Sequence, residues 1–432
     1  MKRKQNAKKK RNLFLSLAFV LGLTCLFSLY YKSTYQNKTY TETTPVKSYS
    51  SINNTSGEMH GIWIAFLDYN SNGYSKTDFV KFVNNTFDTC VANNYDTVFV
   101  HVRMFADAMY NSKYFPWSKY ASGKQGKNPG YDPLSIMVKE AHKRNLKIHA
   151  WINPYRITSG TTSYKNISKS SYAYKWSHSS STSKKRNVLK YNGSLYFNPA
   201  KQDVINLISN GVKEIVQNYN VDGIHFDDYF YPGLGSKYKK LFDSKEYKSY
   251  NKSMKKAGKL PLGIVKWRRE NVNKLIRNVY STVKKARKNC IFGISPAGYL
   301  NNLYDESSYY CDVKKWMDSD KYIDYICPQI YWSFENKTAP YKKICQEWIN
   351  IPRNSGIKLY IGLAAYKAGM TKKEAKANGD MGWYKSKTVL KREVIYARNT
   401  KKVDGFIVFD YGDINRKAAR TEINNLKKIF EN

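Results

Sequence analysis

The chain has 432 residues, with Lys+Arg 73 against Asp+Glu 33 and a formal net charge of +40. This length holds two ordinary domains or one large barrel with a tail, and the charge suits polyanionic partners: nucleic acid, anionic lipid or wall polymers. Six cysteines, at 25, 90, 290, 311, 327 and 345, form no CxxC or Cys/His ligand spacing, which argues against a structural zinc site and a full disulfide framework.

Lys2, Arg3, Lys4, Lys8, Lys9, Lys10 and Arg11 precede a charge-free run over 13–31. A basic stretch before an apolar run is an export signal. The run is long enough to span a bilayer and no small-x-small cleavage site follows it closely, so an uncleaved membrane helix with the C-terminal bulk outside is expected. Leu23 and Thr24 before Cys25 make a poor lipidation site. Export argues against nucleic acid as partner. Residues 32–57 are mostly Ser, Thr, Asn, Tyr and Lys, a composition that builds no core and reads as a flexible linker. The folded domain is therefore placed at 58–432. Within it Cys90, Cys290 and Cys327 read as small buried apolar residues, leaving Cys311 and Cys345 as a pair the count would allow to bridge.

From 58 onward short apolar segments alternate with amphipathic ones. Strands are predicted at 61–66, 97–103, 147–153, 223–227, 291–296, 325–331, 358–364 and 405–410. Helices are predicted at about 78–93, 134–145, 201–219, 267–288, 312–318, 341–353, 388–399 and 416–430. Eight strand-helix units predict an α/β fold, a (β/α)8 TIM barrel. An open doubly wound sheet would place a Gly-rich phosphate loop after a strand, and none occurs. The long connections 104–133, 154–200 and 228–266 all follow strand C-terminal ends, the side on which barrels carry active sites.

Side-chain alternation then collects polar residues at the converging strand ends. His101 and Arg103 come from the second strand, with Asp107 beyond; His149, Trp151, Asn153, Tyr155 and Arg156 come from the third. His225, Asp227 and Asp228 close the fourth, Ser295 the fifth, Gln329, Tyr331 and Trp332 the sixth, Tyr366 the seventh and Asp410 the eighth. A purely structural barrel would be aliphatic at these positions.

Two adjacent carboxylates after a strand can cap a helix, or they can be acids presented to a sugar. Glycoside hydrolysis needs one carboxyl to protonate the leaving oxygen and a second group across the bond. Adjacent Asp227 and Asp228 point apart and cannot span it alone. Either Asp227 is nucleophile or base and the acid comes from Glu335, Asp410 or Glu306, or the sugar's own 2-acetamido group attacks, with one Asp orienting it and the other acting as acid. Trp117, Tyr131, Tyr155, Tyr229, Tyr231, Trp332 and Tyr366 at or after strand ends suit stacking on sugar faces. Three histidines at inward parity could hold zinc, but without HxH or HExxH spacing they read as a hydrogen-bonded layer under the site. No metal or other cofactor is expected.

The segments 58–64 (EMHGIWI), 101–110 (HVRMFADAMY), 115–118 (FPWS), 128–133 (NPGYDP), 140–144 (EAHKR) and 149–156 (HAWINPYR) resemble the glycosyl hydrolase-like 10 family of bacterial exported proteins. So do 195–199 (LYFNP), 223–232 (GIHFDDYFYP), 267–272 (WRRENV), 293–296 (GISP), 324–332 (DYICPQIYW) and 359–363 (LYIGL). The resemblance covers nearly all of 58–430. It implies a TIM-type barrel and, for some relatives, hydrolysis of peptidoglycan glycan strands, including strands stripped of peptides. The family's motifs fall on Arg103 and Asp107, on Asn153 to Arg156, on Asp227 and Asp228, on Arg268 and Arg269, and on Pro328 to Trp332. Where the family pattern has Pro-x-Gly-Asp-Ala after Arg103, this chain has Met104, Phe105 and Ala106 before Asp107 and Ala108.

The reading is an exported, membrane-tethered glycoside hydrolase acting on an amino-sugar polysaccharide of the cell wall, peptidoglycan foremost. Asp227 and Asp228 are the principal catalytic candidates, with Glu335 and Asp410 beside them. Arg103, Asp107, Asn153, Tyr155, Arg156, His225, Gln329, Tyr331 and Trp332 are the substrate-binding candidates. A barrel that binds wall glycan without cutting it is the alternative. A deacetylase or esterase would need a metal triad or an activated serine, and Ser295 lacks the Gly-x-Ser-x-Gly turn.

Overall fold

The computed structural model describes residues 57–304 and 308–431. The expected membrane helix, the linker and Glu306 lie outside the described residues. Among the described residues no helix is long and apolar enough to cross a membrane.

Eight parallel strands close into a barrel: β1 (Met59–Ile64), β2 (Thr97–Arg103), β3 (Lys147–Ile152), β6 (Gly223–Phe226), β7 (Ile291–Ile294), β8 (Tyr325–Ile326), β9 (Lys358–Ala364) and β10 (Gly405–Phe409). Their order around the barrel follows the chain, with β10 returning to β1. Amphipathic helices cover the outside, including Lys76–Ala92, Pro133–His142, Gln202–Asn218, Ile264–Ala286 and Arg420–Phe430. All eight predicted units are present. The sixth strand is shorter than expected because Pro328 has no N–H for the ladder; pairing continues irregularly, with Gln329 N donating to Pro296 O at 3.0 Å. The remaining strands, β4 (Val188–Tyr191) and β5 (Ser194–Phe197), form an antiparallel hairpin inside the long connection after β3. Its two-residue turn is Asn192-Gly193, with φ of 43° and 71°, a left-handed pair that Asn-Gly tolerates.

The barrel interior is filled by aromatic and histidine side chains. Trp63, Phe99, Trp151, Tyr325, Cys327, Tyr360 and Ile407 form one buried cluster, with His149 and His225 also fully buried. A Cβ on Gly293 would stand 2.2 Å from the Tyr325 ring, and one on Gly223 2.7 Å from His149, so glycine is what admits these rings. Trp63 Nε1 donates to His225 Nε2 at 3.0 Å. His225 Nδ1 must then carry the proton toward the Tyr325 hydroxyl, 2.9 Å away, which can donate onward to His149 Nδ1 at 3.0 Å. Burial holds both imidazoles neutral, His149 down to about 3. His149 and His225 are joined through Tyr325 in this layer, and His101 stacks on Trp151 above it.

Tyr325→Phe is expected to lower the unfolding free energy by about 1–3 kcal/mol for each ring nitrogen left unpaired. Denaturant unfolding measures it; an unchanged midpoint and slope would contradict this bonding scheme.

The five cysteines of the domain are buried and free, so no disulfide joins Cys311 and Cys345.

Candidate active site

The fourth barrel strand, β6, ends at Phe226, and the chain turns out of the sheet at Asp227. Both Asp227 carboxylate oxygens face donors. Oδ2 accepts from Trp151 Nε1 at 3.0 Å and Asn153 Nδ2 at 3.4 Å, and Oδ1 accepts from Tyr229 N at 3.2 Å. Asn153 Oδ1 in turn accepts from Arg156 N at 3.2 Å, which fixes the amide with its NH2 toward Asp227. Trp151 is held from behind by His101, stacked at 3.8 Å and 9°. Asp227 is 3% exposed; Asp228 is half-buried.

Burial, then the neighbouring Asp228 charge, raises the Asp227 carboxyl to about 8. Burial raises Asp228 to about 6, against a hydrogen bond from Gln329. The two therefore do not both ionise in the ordinary carboxylate range, as expected for adjacent acids in a poorly solvated site. Burial raises Asp227 the more, yet every group that meets its oxygens is an N–H donor, which suits a carboxylate and assigns the pair's proton to Asp228 at the rim.

Around the pair the structure gathers Arg156, whose guanidinium lies over Phe105 at 5.1 Å and Tyr229 at 4.7 Å. Gln329 donates to Ser295 O at 3.1 Å. Tyr331 stands edge-on to Tyr366 at 5.6 Å, and Tyr331 and Trp332 are both half-buried. Tyr229 is 40% exposed. Of the other expected aromatic platforms, Tyr131 and Tyr231 are buried in the packing, and Tyr231 donates to Asp243 Oδ2 at 2.6 Å.

Several expected site residues are placed elsewhere. Arg103 does not point inward: the register slips between His101 and Arg103, so Arg103 pairs with the outward Ile152. A bulge of this kind re-aims every following side chain. Its guanidinium stacks over Phe115 at 4.3 Å, and a Cβ on Gly211 would stand 2.7 Å from Nη1. His225 lies in the neutral layer beneath the site. Tyr155 is fully buried, because the chain has left β3 by Pro154. Glu335 is exposed and paired with Arg392 at 2.9 Å. Asp410 is buried and caps the turn Tyr411–Ile414 by accepting from Asp413 N; burial and the charges of Asp68 and Asp413 push it up. Ser295 is buried and has no histidine partner among the described hydrogen bonds.

Asp107 is 2% exposed and lines a cavity of about 1150 Å³ between the connections after β2 and β3. Asp227 and Asp228 are not among its lining residues; Phe105, beneath Arg156, links the two spaces. Sequence reasoning missed this cavity because its walls come from loops with no periodicity.

Residues 58–379 match the family described as Glycosyl hydrolase-like 10. The chain is 34% identical over 385 residues to Glycosyl hydrolase YngK of Bacillus subtilis (strain 168), covering 83% of this chain and 69% of that protein. It is 33% identical over 350 residues to Glycosyl hydrolase DigH of Escherichia coli (strain K12), covering 77% of this chain and 75% of that protein. Among solved structures the PgaB (BpsB) glycoside hydrolase domain from Bordetella bronchiseptica superposes with a TM-score of 0.54 at 10% identity, covering 84% of this chain and 98% of that chain. At that identity the likeness speaks for the barrel fold alone.

Proposed function

The chain belongs to the glycosyl hydrolase-like 10 family, and from that premise we propose that it hydrolyses glycosidic bonds of an amino-sugar polysaccharide, peptidoglycan glycan strands foremost. The observation that carries this reading is the Asp227–Asp228 pair at the end of β6, buried, raised in pKa and ringed by donors. Of the candidate partners from other elements, Glu335 is exposed and paired with Arg392, and Asp410 caps the turn after β10 through Oδ1. Two adjacent carboxyls at one strand end, one held among donors and one at the rim, favour the substrate-assisted route.

In that route the carbonyl oxygen of the sugar's 2-acetamido group attacks C1 as the C1–O bond to the leaving sugar breaks. Asp228 gives its proton to the departing oxygen. Asp227, kept as a carboxylate by Trp151, Asn153 and the Tyr229 amide, orients the acetamido N–H and balances the charge of the cyclic oxazolinium. Asp228, now a carboxylate, takes a proton from the water that opens this ring. The anomeric configuration is retained. Tyr229, Tyr331 and Trp332 offer ring faces for pyranose stacking. The basic stretch before residues 13–31 supports an exported, membrane-tethered location where this polymer is found.

The test is incubation of the purified protein with peptidoglycan, intact and peptide-stripped, with products resolved by mass. Free disaccharide units or muropeptides with a retained anomeric centre are expected. Equal co-sedimentation of the wild type and Asp227→Asn without any product would overturn the enzyme reading in favour of a glycan-binding barrel.

The pair also sets the pH profile. The working form holds one proton on two carboxyls, so kcat/KM should be flat between about 6 and 8. It should fall on the acid side as both protonate and on the alkaline side as both ionise. The shifts are upward, so the acid limb lies above the ordinary carboxylate range. An acid limb near 4 in a soluble-oligosaccharide assay would contradict the assignment.

A further inference from the structure

The 13-residue helix Ser244–Lys256, inside the long connection after β6, has no buried residue. Lys245, Lys248, Lys252, Lys255 and Lys256 are all exposed, and at roughly 3.6 residues per turn they fall within about 100° of the helix circumference. Tyr247 and Tyr250 lie on the opposite side, their rings against Trp267 at 5.3 Å and 5.9 Å. The helix's one acid, Glu246, is bound to Arg186 at 2.6 Å, and none of the five lysines is in an ion pair among the described residues. Lysine is not spread evenly over the helices: Lys76 and Lys81 are balanced by Asp78 and Asp88 in Lys76–Ala92, and Lys213 stands against Asp203 and Glu214 in Gln202–Asn218. Beyond the lysine stripe the chain is fixed on both sides of one apolar side chain. Gly258, with φ of 67°, ends the helix; its N–H donates to Lys255 O at 3.0 Å and the Lys259 N–H to Met254 O at 2.9 Å, the paired bonds of a Schellman turn. Leu262 is drawn back onto the helix, its N–H donating to the Tyr250 hydroxyl at 3.2 Å and its carbonyl accepting from the Tyr247 hydroxyl at 2.9 Å. Leu260 stands between these ties and is 93% exposed, so the turn itself keeps the side chain off the domain.

An unneutralised stripe of ammonium groups attracts a polyanionic surface, and Leu260 decides which. A soluble polyanion would answer the lysines and leave the apolar tip in water, whereas the headgroup region of an anionic bilayer answers both. We propose that this helix and the turn 257–263 dock on an anionic lipid bilayer, the lysines against the phosphate headgroups and Leu260 entering the interface. The inference is independent of the glycan reading above. It gives the barrel domain its own contact with a membrane, apart from residues 13–31.

The closed barrel, its core and its covering helices all lie within 57–431, so residues 58–432 form a complete folding unit whose lipid binding owes nothing to 13–31. This fragment is co-sedimented with vesicles of mixed phosphatidylglycerol and phosphatidylcholine, and with vesicles of phosphatidylcholine alone. Binding should require the anionic lipid and weaken as salt rises. A lysine near an anionic surface contributes roughly fivefold in affinity, so Lys248→Gln/Lys252→Gln/Lys255→Gln should weaken binding roughly a hundredfold. Leu260→Ser alone should weaken it about tenfold, and that loss should persist at high salt. All four positions are exposed, so urea unfolding of both variants should match that of the unsubstituted fragment. No binding to the anionic vesicles, equal affinity for the two kinds of vesicle, or a triple variant that binds as the unsubstituted fragment does would overturn the docking surface. A triple variant that loses binding beside an unaffected Leu260→Ser would leave charge as the whole attraction, assign the stripe to a soluble polyanion such as poly(glycerol phosphate), and overturn the bilayer.

Discussion

Asp227→Asn should lower kcat by roughly 10²–10³-fold, the range for loss of a group that stabilises charge developing in the transition state, with the Kd for oligosaccharide nearly unchanged. The reason is geometric. Each oxygen of Asp227 accepts from at least one N–H, and an amide must turn its NH2 toward one set of those donors. It would lose the charge that balances the oxazolinium and the acceptor that orients the acetamido group. Stability should move the other way. The Asp227–Asp228 pair, its carboxyls raised to about 8 and about 6, holds one proton more tightly folded than unfolded. That contribution is fully present below the ordinary carboxylate pKa and declines as pH climbs toward about 8. Asn leaves one carboxyl of the pair and so reduces the decline. Urea unfolding at pH 5 and pH 8 should therefore show a smaller loss of stability in the variant than in the wild type. A kcat within threefold of the wild type would sink the assignment of Asp227.

The barrel was legible because its signals are periodic. Each strand is a short apolar run between turn residues, each covering helix an amphipathic stretch, and the observed boundaries of β2 and β9 coincide with those predicted. Asp227 and Asn153 were legible for the same reason, since alternation carries past the ends of β6 and β3 by one residue; Gln329 lies three residues beyond β8, where pairing is irregular. It fails where the backbone departs from the ladder. The slip after His101 turned Arg103 outward, and no residue type at 102 or 103 announces it. Pro154 carried Tyr155 out of the strand and into the packing. His225 was read as a ligand-facing residue because parity gives a direction but not a depth; the Tyr325 hydroxyl lies beside it and Trp63 occupies its other nitrogen. Asn192-Gly193 was an available signal for the hairpin that the long connection obscured. The charge of Lys124 or Lys165 was visible as composition, while its convergence on the cavity between the connections after β2 and β3 depended on loop packing alone.

Arg268→Ala should destabilise the fold by about 3–5 kcal/mol, the cost of leaving a buried charge unpaired, and should lower kcat as well. Arg268 is fully buried on the helix Ile264–Ala286. Its Nε donates to Asp243 Oδ1 at 2.9 Å, Nη1 to the Tyr310 hydroxyl at 2.9 Å, and Nη2 to Tyr238 O at 3.0 Å and Leu241 O at 3.2 Å. Asp243 also accepts from the Tyr231 hydroxyl, three residues beyond Asp228. One guanidinium thus ties both ends of the 228–243 loop to the barrel's outer helix, and that loop carries the proposed acid. Arg268→Lys keeps the charge but not the planar fork of donors, so it should recover only part of the loss. Removing both charges in Arg268→Ala/Asp243→Asn leaves no ion uncompensated and should cost less than the sum of the single changes. Urea unfolding and kcat on the wild type, Arg268→Ala, Arg268→Lys, Asp243→Asn and the double variant measure this. Additive losses would show that Arg268 and Asp243 act independently, and that the loop is held by something other than their bond.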